Sequence, residues 1–314
     1  MLSIFHYNCL PKITKGYTVV MFVLAHISDI HISCPLSFSE LSLKRIIGLA
    51  NWHFSRKKYF SHTMVDLLVN DILSHNINHI AITGDIVNMT TNREISKAIH
   101  WLKNIVNPHD ISIVLGNHDA YTNSSKKKSL RAWSDYIAGD TPPIEKKQFP
   151  YLRVRNNIAL IGCSTAIATP PFSANGYFGQ EQDHATSKFL RKSKKEGLFR
   201  VVMMHHPPFL DTSTIYNRMF GIKRFKNMIL REGAELMLHG HTHRNSLHWI
   251  DGAKKLIPVV GIAAACHKKN ASYNLFYIEK KHDCWTLRGK RYTLSDSNGV
   301  QKNCSNIFNE TLSL

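Results

Sequence analysis

From residue 21 onward the chain alternates two kinds of hydrophobic spacing. One is the short, unbroken apolar run rich in β-branched residues, found at 21–27, 77–83, 111–115, 158–162, 200–204 and 235–238. Runs without polar alternation are the mark of strands covered on both faces. The other is the helical repeat, which places Met64, Leu67, Leu68 and Ile72 on one face of 61–75, and Ile95, Ile99, Leu102 and Val106 on one face of 92–106. Two more helices are expected over 180–192 and 217–231, with Ser61 and Asn92 as N-caps of the first two. Strand and helix in alternation imply a layered α/β fold. After Leu256 the texture changes, and 257–264, 273–278 and 285–294 suggest an antiparallel second sheet. Residues 1–20 lack periodicity and are expected to be an N-terminal extension, 21–293 a single domain, and the polar stretch 294–314 a loose C-terminal tail.

Composition narrows the partners more than the fold. At 314 residues and 43% hydrophobic, the chain can bury a full core. Forty Lys and Arg against 22 Asp and Glu leave a net charge of +18, which favours phosphate esters, nucleic acid or an acidic membrane surface. Six cysteines without C-x-x-C or zinc-finger spacing read as reduced thiols of a cytoplasmic protein. The apolar run 19–25 is too short to span a bilayer, so at most a peripheral place on the inner membrane surface is expected.

The chemistry sits where the apolar runs end. Five of them close on metal-ligand residue types: Asp29 and His31, Asp85, Asn117 with His118 and Asp119, His205 with His206, and His241 with His243. In open α/β sheets, ligands gather at the carboxyl ends of the strands, so these clusters are expected to converge. Extended backbone would turn Asp29 and His31, and likewise His241 and His243, to one side. Singly, Asp29, Asp85 and Asn117 read as Asx-turn residues, and most of the 19 histidines must be structural. Together they form a mixed nitrogen and oxygen set suited to Mn, Fe or Zn rather than a Ca²⁺ or Mg²⁺ cage. Seven ligands exceed what one catalytic zinc takes and suit two divalent metal ions sharing a carboxylate.

The series D-x-H, GD, GNHD, H-x-P and GHTH, in this order, resembles the calcineurin-like metallophosphoesterase family over roughly residues 21–290. That resemblance implies a four-layer αββα sandwich of two mixed sheets flanked by helices. It implies that Asp29, His31 and His243 bind one metal, that Asn117, His205 and His241 bind a second, and that Asp85 bridges them. It favours His205 over His206 as ligand and expects a hydroxide shared by the ions as nucleophile. His118 would be the catalytic histidine, with Asp119 orienting it. The variants Gly84-Asp85-x-x-Asn88 and His205-His206-Pro207-Pro208 resemble the cyclic-nucleotide phosphodiesterase branch, pointing to a small phosphate ester as substrate. The alternative is a pyrophosphatase of the UDP-diacylglucosamine type acting on a nucleotide-linked lipid. There the basic, aromatic segment 44–60 (Lys44, Arg45, Trp52, Phe54, Arg56 to Tyr59) would rest on an anionic membrane, rather than forming a helix packed on the sheet. Nucleic acid is a weaker candidate. A ligand-free scaffold role, found among relatives that have lost these residues, is disfavoured because all seven ligands and His118 are present.

Overall fold

The computed structural model describes residues 21–313 apart from 53, 55–56, 141–147, 211–215, 283 and 297–298. The 1–20 segment and Arg56 lie outside the described residues. In chain order the first half contains β1 (Phe22–Ile27), α1 (Leu43–Asn51), α2 (His62–Leu73), β2 (His79–Ile82), α3 (Asn92–Lys103) and β3 (Ile111–Ile113). There follow α4 (Asn123–Ala132), α5 (Ser134–Ile137), β4 (Tyr151–Arg155), β5 (Ile158–Gly162), β6 (Gly176–Tyr177), α6 (Gln180–Lys195) and β7 (Phe199–Met203). The last third holds β8 (Met219–Phe220), α7 (Ile222–Glu232), β9 (Leu236–His239), β10 (Ser246–Asp251), β11 (Leu256–Gly261), β12 (Ala271–Lys281), β13 (Cys284–Asp296) and β14 (Val300–Ser313).

Two six-stranded mixed sheets result, ordered β14-β13-β12-β1-β2-β3 and β10-β11-β9-β7-β5-β4. Alternation along each strand assigns its residues to two layers. Phe22 and Leu24 of β1 meet Leu160, Val201, Leu236 and Phe276 between the sheets. Val23, Ala25 and Ile27 face outward onto Met64, Leu68 and Ile72 of α2. On the far side, Ile161, Val202 and Met237 pack under Phe189 of α6 and Phe225 of α7. The inner strands β1, β7 and β9 are thus buried on both faces, because a sheet covers one and helices the other. This is the four-layer αββα sandwich.

Three expectations need correction. The C-terminal strands form no sheet of their own: β12 pairs antiparallel with β1, so β12 to β14 extend the first sheet. The tail expected over 294–314 is largely strand, since Val300–Ser313 pairs with β13 along its length and buries Phe308 and Leu312. An edge strand needs few apolar residues, because backbone bonds and one covered face hold it. Lastly, α3 is capped by Thr91 rather than Asn92, in a capping box with Glu94, whereas Ser61 does occupy the N-cap of α2.

The 44–60 segment does begin as a helix, but one turned inside out. None of the residues of α1 is buried. Its inner side carries Lys44, bonded to the Tyr121 and Thr169 carbonyls, and Arg45, bonded to the Glu40, Met89 and Thr90 carbonyls. Its outer side shows Leu43, Ile46 and Leu49 at 72%, 49% and 37% exposure. Deleting residues 300–314 tests the last strand: burial of Phe308 and Leu312 predicts a loss of about 3 kcal/mol or more in urea denaturation. A truncated chain as stable as the full one would restore the loose tail.

Candidate metal centre

The strand ends converge as expected, by a different backbone route. Asp29, His31, Asp85, His241 and His243 all have positive φ, between 50° and 71°. They are not extended; each is a left-handed residue, uncommon for side chains of this size and concentrated here at one site. The backbone after β1 continues to pair while it turns: Asp29, His31 and Ile32 donate their amides to the carbonyls of Gly84, Asp85 and Ile86. Close approach is permitted by Gly116 and Gly240, where a Cβ would fall 2.1 Å from Asp85 Oδ1 and 1.9 Å from Ser28 Oγ.

Asp119 organises this crossing. Its Oδ2 accepts the amides of Asp85 and Gly116, both at 2.8 Å, and its Oδ1 those of Ile86 and Val87 at 2.9 and 3.2 Å. Burial and the neighbouring Asp85 push the Asp119 carboxyl up to about 8. Yet each oxygen faces two N–H donors, an arrangement only the ionised form satisfies in full. The orienting task expected of Asp119 falls instead to Asn88, whose carbonyl accepts from His118 Nδ1 at 2.5 Å. The Gly84-Asp85-x-x-Asn88 spacing had marked that residue.

Two donor clusters share Asp85. In the first, one ligand atom each of Asp29, His31, Asp85 and His243 lie within 4.8 Å of one another. His243 Nε2 stands 3.1 Å from Asp29 Oδ1 and 3.2 Å from His31 Nε2. In the second, Asn117 Oδ1 lies 3.1 Å from His205 Nε2 and 3.0 Å from His241 Nδ1. Asp85 Oδ2 joins them, 3.9 Å from His31 Nε2 and 3.4 Å from His205 Nε2. His206 points elsewhere, to Thr165 Oγ1 at 2.7 Å and the Ala174 carbonyl at 3.0 Å. All seven expected ligands are therefore brought together, and His205, not His206, faces Asp85.

The donor set fits cations. Asp29 Oδ1 is buried without a hydrogen bond, although His243 stands at ion-pair distance. His205 donates Nδ1–H to the Thr83 carbonyl at 2.7 Å, and His241 donates Nε2–H to the Asn217 carbonyl at 3.1 Å. These backbone partners, missed in the sequence because carbonyls leave no residue signature, turn the other ring nitrogens toward the centre. Burial pushes His31 down and His241 to about 3, so these rings are neutral donors. His205 is pushed up to about 9 against its burial by Asp85, and Asp85 is held low despite burial by His205 and His118. The field at Asp85 thus draws positive charge to the point where the clusters meet. Phe60 closes the first cluster, stacked on His31 at 5.5 Å and 12°.

Nitrogen and oxygen donors gathered where two stacked mixed sheets end define a metallohydrolase. More particularly, the chain belongs to the calcineurin-like phosphoesterase family, whose family model matches residues 22–245. It is a metal-dependent phosphoesterase, and the family works with two divalent metal ions. Among solved structures it is similar to a dimetal phosphatase from Danio rerio, at 11% identity and TM-score 0.54, covering 93% of this chain and 98% of that one. It is also similar to the purple acid phosphatase PPD1 from yellow lupin (Lupinus luteus) seeds, at 11% identity and TM-score 0.55, covering 94% of this chain and 54% of the lupin protein. At such identities the likeness concerns the fold. No curated protein sequence matches the chain.

The geometry separates Asp119 from the chemistry. Asp119→Ala leaves four buried amides without an acceptor and should lower stability by about 3 kcal/mol or more. His118→Ala should cost far less. Loss of activity by Asp119→Ala at unchanged urea midpoint would return Asp119 to a catalytic role.

Proposed function

We propose that the protein hydrolyses small phosphodiesters, of which cyclic nucleotides are one class. The observation that carries this reading is a cavity of about 620 Å³ that shares Asn117 and His118 with the metal centre. Its size suits a small-molecule ester, and its walls include Trp52, Met89, Tyr121 and Phe172. Asp29, His31 and His243 would hold one ion and Asn117, His205 and His241 the other, with Asp85 common to both. Such ions supply activated water and neutralise charge on the phosphoryl group. The chain's own residues do the rest. Thr83 and Asn217 carbonyls fix two imidazoles, and the Asn88 carbonyl accepts from His118 Nδ1 and fixes the orientation of that ring. His118 would then protonate the departing oxygen, at the boundary between centre and cavity.

Asp85→Asn should abolish turnover of bis-p-nitrophenyl phosphate and release bound metal, with the fold intact by circular dichroism. Retained metal and near-normal turnover would defeat the shared-ligand assignment. His118→Ala should keep the metal and lose rate by about 10²–10⁴-fold on esters with poor leaving groups, and less on p-nitrophenyl esters. Equal losses on both would argue against proton donation.

A second reading, a phosphoesterase working at an anionic membrane surface, is favoured by the outward apolar side of α1. Phe38, five residues before Leu43 in the chain, is likewise exposed, at 94%. Exposed Lys128 bonds Asn92, which in turn bonds Glu40 in the segment leading into α1. Among the described residues no helix is long and apolar enough to cross a membrane, so contact would be peripheral. Replacing Leu43, Ile46 and Leu49 with Ser should weaken binding to phosphatidylserine vesicles by about two orders of magnitude. A wild-type chain that ignores such vesicles at low salt would leave the soluble phosphodiester alone.

A further inference from the structure

The cavity beside His118 is electrostatically lopsided. Among the described residues that line it, Lys44 alone bears a formal charge and none is a carboxylate. Lys44 reaches inward from α1, donating to the Tyr121 and Thr169 carbonyls at 2.7 and 2.6 Å, with its ammonium 4.4 Å above the Tyr121 ring. Lys126 of α4 reaches the same loop, donating to the Ala166 carbonyl at 2.8 Å. Among the described residues neither lysine forms an ion pair. Burial pushes Lys44 down to about 8 and lowers Lys126 as well.

Partly buried ammonium groups without a counter-ion are costly, and carbonyl dipoles offset only part of that cost. Two carbonyls occupy two of the three Lys44 donors, so one N–H has no carbonyl partner, and Lys44 is itself among the residues lining the cavity. A lysine serving solely to pin α1 would lose nothing by having a carboxylate partner in that space. Among the described residues the lining holds no acidic side chain, which keeps the positive field available to whatever enters. Tyr121 connects the two, its ring 4.4 Å below the Lys44 ammonium and 6.1 Å from the His118 ring, and Met89 and Trp52 add apolar wall to the same cavity.

We propose that Lys44 reads a second anionic group on the substrate, borne by the leaving group that this cavity receives. The preferred ester then carries negative charge at two points, the scissile phosphoryl group at His118 and an anionic substituent at Lys44, joined by a planar or apolar body. The proposal rests on the phosphodiester reading and narrows its substrate class.

Two non-hydrolysable probes separate this role from a purely structural one: benzylphosphonate and 4-carboxybenzylphosphonate, titrated calorimetrically into the Mn²⁺-loaded full chain. The carboxylated probe should bind the wild type at least about tenfold more tightly, as one charge-assisted hydrogen bond supplies. Lys44→Gln should erase that ratio and Lys44→Arg should restore most of it. If Lys44 only clasps α1, Lys44→Gln lowers the melting temperature and weakens both probes alike, leaving the ratio intact, and the proposal fails. Equal affinities in the wild type overturn it as well. Wild-type turnover of bis-p-nitrophenyl phosphate, measured separately, tests the phosphodiester reading alone: an active enzyme with equal probe affinities refutes the Lys44 role and spares that reading.

Discussion

The carboxylate of Asp119 accepts four backbone amides at the crossing of two strand ends, and much else follows from that clamp. It fixes the left-handed turn at Asp85, which in turn presents Oδ2 between His31 and His205 and gives Oδ1 to the His118 amide at 2.8 Å. One buried acid thereby places another, and the second sets the electrostatics of the centre. The four backbone dipoles offset part of the cost that burial and the neighbouring Asp85 lay on the Asp119 charge. The strain of the left-handed residues, about 1 kcal/mol or more each, is sustained by the core beneath.

Much of this was legible in the chain. Apolar runs gave the buried strands because each is covered on both faces, and the polar residues closing them mark a site because strand ends of such sheets lie side by side. Asp85 and the six residues that face one another across it were all visible in that way. Local conformation was not. Nothing in Asp29-Ile30-His31 distinguishes an extended pair from a left-handed one, since both leave two side chains on one side. The use of Asp119 was hidden because its partners are amides, which carry no residue identity. The strand 300–313 looked like a tail because an edge strand shows one apolar face at most, here Phe308 and Leu312. The inversion of α1 was equally hidden: periodicity reveals two faces of a helix without saying which one meets the protein.

That inversion links the centre to its choice of substrate. Because α1 is held by Lys44 and Arg45 through carbonyl oxygens rather than by apolar packing, its position depends on hydrogen bonds around the cavity mouth. The close contact of Gly48 with Tyr121, where a Cβ would lie 2.2 Å from the hydroxyl, seats the helix against the loop that carries His118. The same element therefore walls the cavity, supplies its charge and shows a hydrocarbon face outside. Metal chemistry belongs to the strand ends, and selectivity to the segments laid over them.

Everything above turns on Asp85 being common to two metal ions. Anomalous diffraction from crystals of the Mn²⁺-loaded chain tests it most directly. Two ions per chain are expected, one among Asp29, His31 and His243, the other among Asn117, His205 and His241, both bonded to Asp85. A single ion, or two ions that do not share Asp85, would contradict it.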